Sequence, residues 1–202
     1  MKLSTRELAT LAVFGALWGL DEISLGSVIK TLNIPLSGVL LSAIGLIIVL
    51  VGRVFVPRRG STLFIGVIAM LLKLFSLGGV IIGPMIGIVT EAIVAEVILT
   101  LAGKPRRFAF MLAGALGVTW ALAQPFVTGP LLFGRTFFTV WLDLLDTGKR
   151  LFGSVYSAAA WLVVGLLALH LIIGCLAGWL SWDIAKILQN RLGRSAPAID
   201  QV

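Results

Sequence analysis

Charge is scarce in this chain: Asp, Glu, Lys and Arg make up 12% of its 202 residues. Soluble domains carry about 25%, so a water-facing surface over the whole chain is excluded. Histidine and cysteine occur once each. His170 and Cys175 alone cannot build a tetrahedral zinc site. One cysteine gives no disulfide framework within the chain and leaves the redox compartment open. Walker A, His-Glu-x-x-His and Gly-x-Ser-x-Gly patterns are all missing, and so are the repeated aspartates of lipid phosphotransferases. Nothing therefore points to ATP hydrolysis by that route, to zinc hydrolysis or to a serine nucleophile. No cofactor and no enzymatic activity are expected.

Apolar residue is abundant instead, at 59% of the chain with a mean hydropathy of +1.09. Hydrocarbon is the natural solvent for such a composition. A spanning helix takes about 20 residues, so the chain has room for roughly six spans and no extramembrane domain. The sequence predicts an all-α, polytopic six-helix bundle over residues 1–194, followed by a disordered tail, 195–202. An isoelectric point near 10.3 brings nucleic acid to mind. The basic residues, however, fall in short runs between apolar segments, as orientation signals do, so the expected partner is the lipid bilayer and not nucleic acid.

The predicted spans run over about Thr5–Ile23 (with an extension to Ile29 open), Pro35–Val56, Ser61–Leu77, Ile81–Ala102, Phe108–Phe133 and Tyr156–Trp182. Lys2 and Arg6 ahead of Leu8–Leu20 resemble a signal peptide, but Asp21 and Glu22 follow where small residues should precede cleavage, so the segment is taken as a span. Gly78-Gly79 and Gly83-Pro84 should separate the third and fourth spans. Pro125 and Gly129-Pro130 should interrupt the fifth. Thr136–Arg150 places Phe137, Phe138, Trp141, Leu144 and Leu145 on one face, with Asp143, Asp146, Lys149 and Arg150 largely opposite. That is an amphipathic helix suited to the interface, either a connector or a lid. Lys2 and Arg6, Arg53, Arg58 and Arg59, Lys104, Arg106 and Arg107, and Lys186, Arg191 and Arg194 all fall on one side, against Lys30, Arg135, Lys149 and Arg150 on the other. Both termini are therefore expected in the cytoplasm of a multi-pass cell-membrane protein.

Glu91 is the most informative single residue, because an ionisable group near the bilayer centre must face protein or water. It lies ten residues into the fourth span, roughly 15 Å deep, on a stripe of small residues: Gly83, Gly87, Glu91, Ala95. Lys73 lies at a similar depth in the third span, so a Lys73–Glu91 ion pair competes with a ligand-binding role for Glu91. Asp21 and Glu22 lie about 24 Å along the first span, at a binding site or in the headgroups. Trp120 and Gln124, one turn apart, offer an aromatic face beside an amide; an interfacial anchor is the other role for Trp120. His170 aligns with Gly174 and Gly178, as an interhelical hydrogen-bonding residue or a contact to substrate. Ala9, Ala12, Ala16 and Gly19 form one small-residue face, and Ala109, Ala113, Gly117 and Ala121 another, for packing within the bundle or against a partner.

Two stretches resemble the substrate-binding S components of energy-coupling factor (ECF) transporters. Thr5-Arg6-Glu7-Leu8-Ala9 leading into Ala12-Val13-Phe14-Gly15-Ala16 is similar to that family's opening helix, with its Ala-x-x-x-Ala contact motif. Gly83-Pro84-Met85-Ile86-Gly87 is similar to the Gly-Pro-x-x-Gly segment opening its fourth helix. The layout of six spans in about 200 residues resembles the family over the whole chain. The resemblance implies a subunit that captures a vitamin or precursor and docks, through Ala12 and Ala16, on a transmembrane coupling protein served by two ATPase subunits. In thiamine-type members a fourth-helix Glu and aromatic residues hold the ligand, which Glu91 and Trp120 match by helix and residue type. The missing His-containing N-terminal segment of the cobalt and nickel members argues against metal uptake. Lys73, the single Tyr156 and the amphipathic insert depart from the family's vitamin binders and put the substrate in question. A lipid-modifying enzyme or a structural membrane subunit is the rival class; a secondary transporter would show inverted repeats, and none is seen.

Overall fold

A computed structural model describes residues 3–32, 34, 36–76, 81–152 and 159–195. Its described residues form seven helices and no strand. They are α1 (Thr5–Thr31), α2 (Ser37–Phe55), α3 (Ser61–Lys73), α4 (Ile82–Ala102), α5 (Arg107–Phe133), α6 (Phe137–Phe152) and α7 (Ala159–Ser195). Five of them, α1, α2, α4, α5 and α7, are long and apolar enough to cross a membrane, while α3 is a shorter apolar helix of 13 residues. This is the architecture of a helical membrane protein.

Local chemistry sets the ends. Ser4 and Glu7 form a capping box at the start of α1: the Glu7 N–H donates to Ser4 Oγ (3.2 Å) and the Ser4 N–H to Glu7 Oε2 (2.8 Å), satisfying donors that have no helical partner. Gly60, in a left-handed conformation (φ 88°), precedes α3, and Gly134 (φ 60°) closes α5. Cross-helix contacts fix direction. The start of α1 meets the α2–α3 connection through Glu7–Arg58, Lys73 at the end of α3 meets Glu22 of α1, and Arg107 at the start of α5 meets Asp183 of α7. Thus α1, α3 and α5 run one way and α2, α4 and α7 the other.

Small residues govern the packing. A Cβ on Gly174 would stand 2.3 Å from the Gly114 carbonyl oxygen, and one on Gly178 would stand 2.1 Å from that of Phe110, so α5 and α7 touch backbone to backbone. Gly66 meets Ala92 between α3 and α4, and Gly45 makes room for the indole of Trp18, which is fully buried between α1 and α2. Leu46, Val49, Leu50, Ile65 and Phe110 complete the core. Without water to drive helices together, such close dispersion contact carries association in lipid.

Two expectations about the chain path change. Pro125 and Pro130 do not interrupt the fifth helix, which runs unbroken from Arg107 to Phe133. A long apolar helix tolerates proline when neighbouring groups take up the freed carbonyls. The first span does not stop at Ile23: α1 continues as helix past the open extension to Ile29, as far as Thr31. Ser195, assigned to the tail, ends α7; Asn33, Gly78-Gly79, Tyr156 and the rest of the tail lie outside the described residues.

Gly174→Val should force α5 and α7 apart. Overpacking costs about 1–3 kcal/mol, or a melting temperature lower by roughly 2–12 °C at this chain length. A thermal melt in detergent measures it, with Ile172→Val on the exposed face of α7 as the neutral control.

Candidate ligand cavity

Glu91, Gln124 and Glu22 meet at one cavity of about 340 Å³, at the end of the bundle where α2 and α4 begin and α5 ends. The small stripe on α4 points inward, since Gly83, Gly87, Glu91 and Ala95 are all buried. That face must be narrow for α4 to approach α2 and α5, and it carries the carboxylate inside. Ser42 of α2 donates its hydroxyl to Glu91 Oε1. No cation pairs with Glu91 among the described residues.

Lys73 is committed elsewhere. Its ammonium lies 3.0 Å from Glu22 Oε2 and 2.6 Å from the Glu22 carbonyl oxygen, with both side chains nearly excluded from solvent. The ion pair contemplated between Lys73 and Glu91 is thus replaced by one between α3 and α1. Asp21 stays beside this pair, its Oδ2 buried without a hydrogen-bond partner among the described residues. Gly26 keeps the space open, as a Cβ there would lie 3.3 Å from Lys73 Nζ.

Gln124 is fixed by its own bonding. Its Nε2 donates to the Gly83 carbonyl (2.7 Å), which turns Oε1 toward the Gly87 backbone and makes it an acceptor on the cavity wall. Trp120, one turn earlier, lines neither this cavity nor the neighbouring one, and its Nε1 is buried without a partner among the described residues. The aromatic ring at this cavity is Phe133. Ser42, Thr128, Phe133 and Arg135 were not singled out from the sequence; Ser42, a hydroxyl inside the most apolar span, was the available signal.

His170 sits apart, on the wall of a second cavity of about 440 Å³ between α2, α5, α6 and α7. The proposed docking face divides. Ala9 and Ala12 are exposed and Ala16 half-buried on the open side of α1, whereas Gly19 packs against Leu72 of α3.

The opposite end of the bundle is tied together by Glu96, which the sequence reading passed over. Glu96 on α4 accepts the Gly60 N–H (2.7 Å), the Thr62 N–H (3.1 Å), the hydroxyls of Thr62 and Thr100, and Arg53 (3.2 Å). A carboxylate from one helix thereby caps the N-terminus of another, α3, where the helix dipole favours negative charge. No group of three or more His, Cys, Asp or Glu able to hold a metal occurs among the described residues. No protein-family model, curated protein or solved structure matches the chain.

Lys73→Met should destabilise the protein by about 3–5 kcal/mol, because it strands the buried Glu22 carboxylate. Glu22→Gln added to Lys73→Met should recover most of the loss. Denaturation of both single mutants and the double mutant tests the coupling, and additive losses would break the pairing.

Proposed function

We propose that this chain is the substrate-capture subunit of an ATP-driven importer of the ECF type, taking up a planar, amino-bearing heterocycle. The carrying observation is the cavity at Glu91: a buried carboxylate, held by one hydroxyl and paired with no cation among the described residues, in a chamber where Gln124 Oε1 is a further acceptor and the Arg135 cation is taken up by Asp143. Glu91 and Gln124 Oε1 call for N–H donors or positive charge on the ligand, while the Glu22 carboxylate is already matched by Lys73. A volume of about 340 Å³ falls in the range of small-molecule sites, about 300–1,000 Å³. Phe133 supplies a ring face for a flat or cationic group.

In this reading α1, α2, α3, α4, α5 and α7 cross the cell membrane, α6 lies along the outer interface, and both termini are cytoplasmic. The basic residues at the Glu96 end and the amphipathic pattern of α6 support that placement. The exposed alanines of α1 support docking on a transmembrane coupling protein, which two ATPase subunits would drive. Cavity and docking face then lie on different parts of the molecule, so ligand capture and energy coupling are separable.

Mass spectrometry of gently purified protein should identify a co-purifying amino-bearing heterocycle. Glu91→Gln should weaken binding of that compound about ten- to a hundredfold while the melt is preserved, since a charge-assisted hydrogen bond contributes roughly 1.5–3 kcal/mol. Ala12→Trp with Ala16→Trp should leave binding intact and abolish uptake by cells. Unchanged affinity in Glu91→Gln defeats the site, and unchanged uptake in the tryptophan pair defeats the docking face.

The topology has its own check. Cysteines introduced at Ser4 and at Ser195 should resist impermeant thiol reagents in intact cells and react after permeabilisation. Labelling of either one from outside refutes six crossings with cytoplasmic ends.

A further inference from the structure

The second cavity adjoins the first along a shared seam. Ser37 and Gly38 of α2, Ala121 and Pro125 of α5, and Arg135 line both chambers. A Cβ on Gly38 would touch the Ala121 Cβ, at 4.0 Å, and nothing nearer, so two of the smallest residues, Gly38 and Ala121, face each other across this part of the seam. Together the chambers still fall within the volume of a single small-molecule site, up to about 1,000 Å³.

His170 gives the second chamber a defined polarity. Its Nδ1 lies 2.7 Å from the Leu166 carbonyl oxygen, one turn back on α7. A carbonyl only accepts, so Nδ1 carries the proton and Nε2 of the neutral ring is an acceptor. Nε2 has no partner among the described residues, although the residue is only 3% exposed. The Thr147 hydroxyl spends its hydrogen on the Asp143 carbonyl (2.8 Å) and so also offers lone pairs. Asp143 pairs with Arg135 across the mouth. Most of the remaining wall is apolar, with Val39, Phe126, Val140 and Leu166.

We propose that the two chambers form one bipartite site: an amino-bearing head sits on Glu91, and an apolar arm crosses the Gly38–Ala121 seam to place a terminal hydroxyl on His170 Nε2. This rests on the reading that Glu91 holds a ligand, and it adds the shape and the second functional group of that ligand. The arm must be apolar along its length and donor-bearing at its tip, because the second chamber offers apolar surface and then an acceptor. His170 is a specificity-determining residue for the tip, and Gly38 is the position that keeps the passage open.

Two probes separate the head from the arm: 4-aminopyrimidine, and the same ring carrying a 5-hydroxypentyl chain at C5. The protein is purified with an affinity tag free of histidine. His170, the only histidine in the chain, then gives a single pair of ring-nitrogen signals after histidine-specific nitrogen-15 labelling. The arm should raise affinity about tenfold or more, the effect of one neutral hydrogen bond with added apolar burial. It should also shift the Nε2 signal, which the bare ring leaves in place. His170→Leu should remove most of the arm's gain without weakening the bare ring, and Gly38→Val should lower the ratio of the two probes' affinities toward one. Equal affinity for the two probes, a gain that survives both variants, or a bound arm with an unmoved Nε2 signal would each overturn the bipartite site. Failure of the bare ring to bind, or binding indifferent to Glu91→Gln, would instead defeat the reading of the Glu91 cavity on which this one stands.

Discussion

Everything at the cavity follows from where the Lys73 ammonium goes. A buried cation and three carboxylates, Asp21, Glu22 and Glu91, share one end of the bundle. Removing charges from water is costly, and only close pairing with further hydrogen bonds offsets that cost. Lys73 reaches both the carboxylate and the backbone carbonyl of Glu22, so one residue saturates most of its donor capacity. Glu91 is left with the Ser42 hydroxyl alone. The fold thus neutralises one acid internally and leaves another to be matched by something the described chain does not supply. Had Lys73 reached across to α4, the chamber would be a closed structural ion pair with nothing to offer a ligand.

The two ends of the bundle handle polar groups in opposite ways. At one end the acids are matched: Glu7 with Arg58, Glu96 with Arg53 and two backbone N–H groups, Asp183 with Arg107. Trp179 and Trp182 lie under the cations Arg107 and Lys186 there. Such a network, tying the α2–α3 connection to α1 and α4, rigidifies that end. At the other end Asp21 Oδ2 is buried without a hydrogen-bond partner among the described residues, and Leu36 holds a left-handed conformation (φ 61°) that costs a branched residue about 1–2 kcal/mol.

The helices were legible because hydropathy and charge runs act over 15–20 residues, and the ends of α2, α4 and α5 fall within two residues of the positions inferred from Pro35, Ile81 and Phe108. Depth was legible too, since rise per residue is fixed; it placed Glu91 and Gln124 at one chamber's level. Rotation about each helix axis and the neighbour across it were not. Depth alone put Lys73 beside Glu91, but α3 packs against α1 as well as α4 and presents Lys73 to Glu22. Trp120 precedes Gln124 by one turn, yet the ring at the chamber is Phe133, nine residues further on, because α5 continues through Pro125 and Pro130. Glu96 escaped notice because its meaning lies in the loop it caps, which belongs to another pair of helices.

The distribution of small residues carries the last step. In lipid a small side chain earns its place only where another backbone comes close, because against acyl chains it forfeits dispersion contact to no purpose. On α4, α5 and α7 the small residues answer to that test internally: Gly66 with Ala92, Gly114 with Gly174, Gly117 with Leu46. Gly19 on α1 does the same against Leu72. Ala9 and Ala12 do not; they stand exposed among Leu8, Val13 and Leu17 on a face that no helix of the described chain covers. That exception to the packing of the other small residues is what supports the proposed docking face, and α1 joins this face to the Glu91 chamber both through Trp18 packed on Gly45 of α2 and through the Glu22–Lys73 pair. Among the described residues that pair is the polar link between the helix that bears the open alanines and the chamber that holds Glu91.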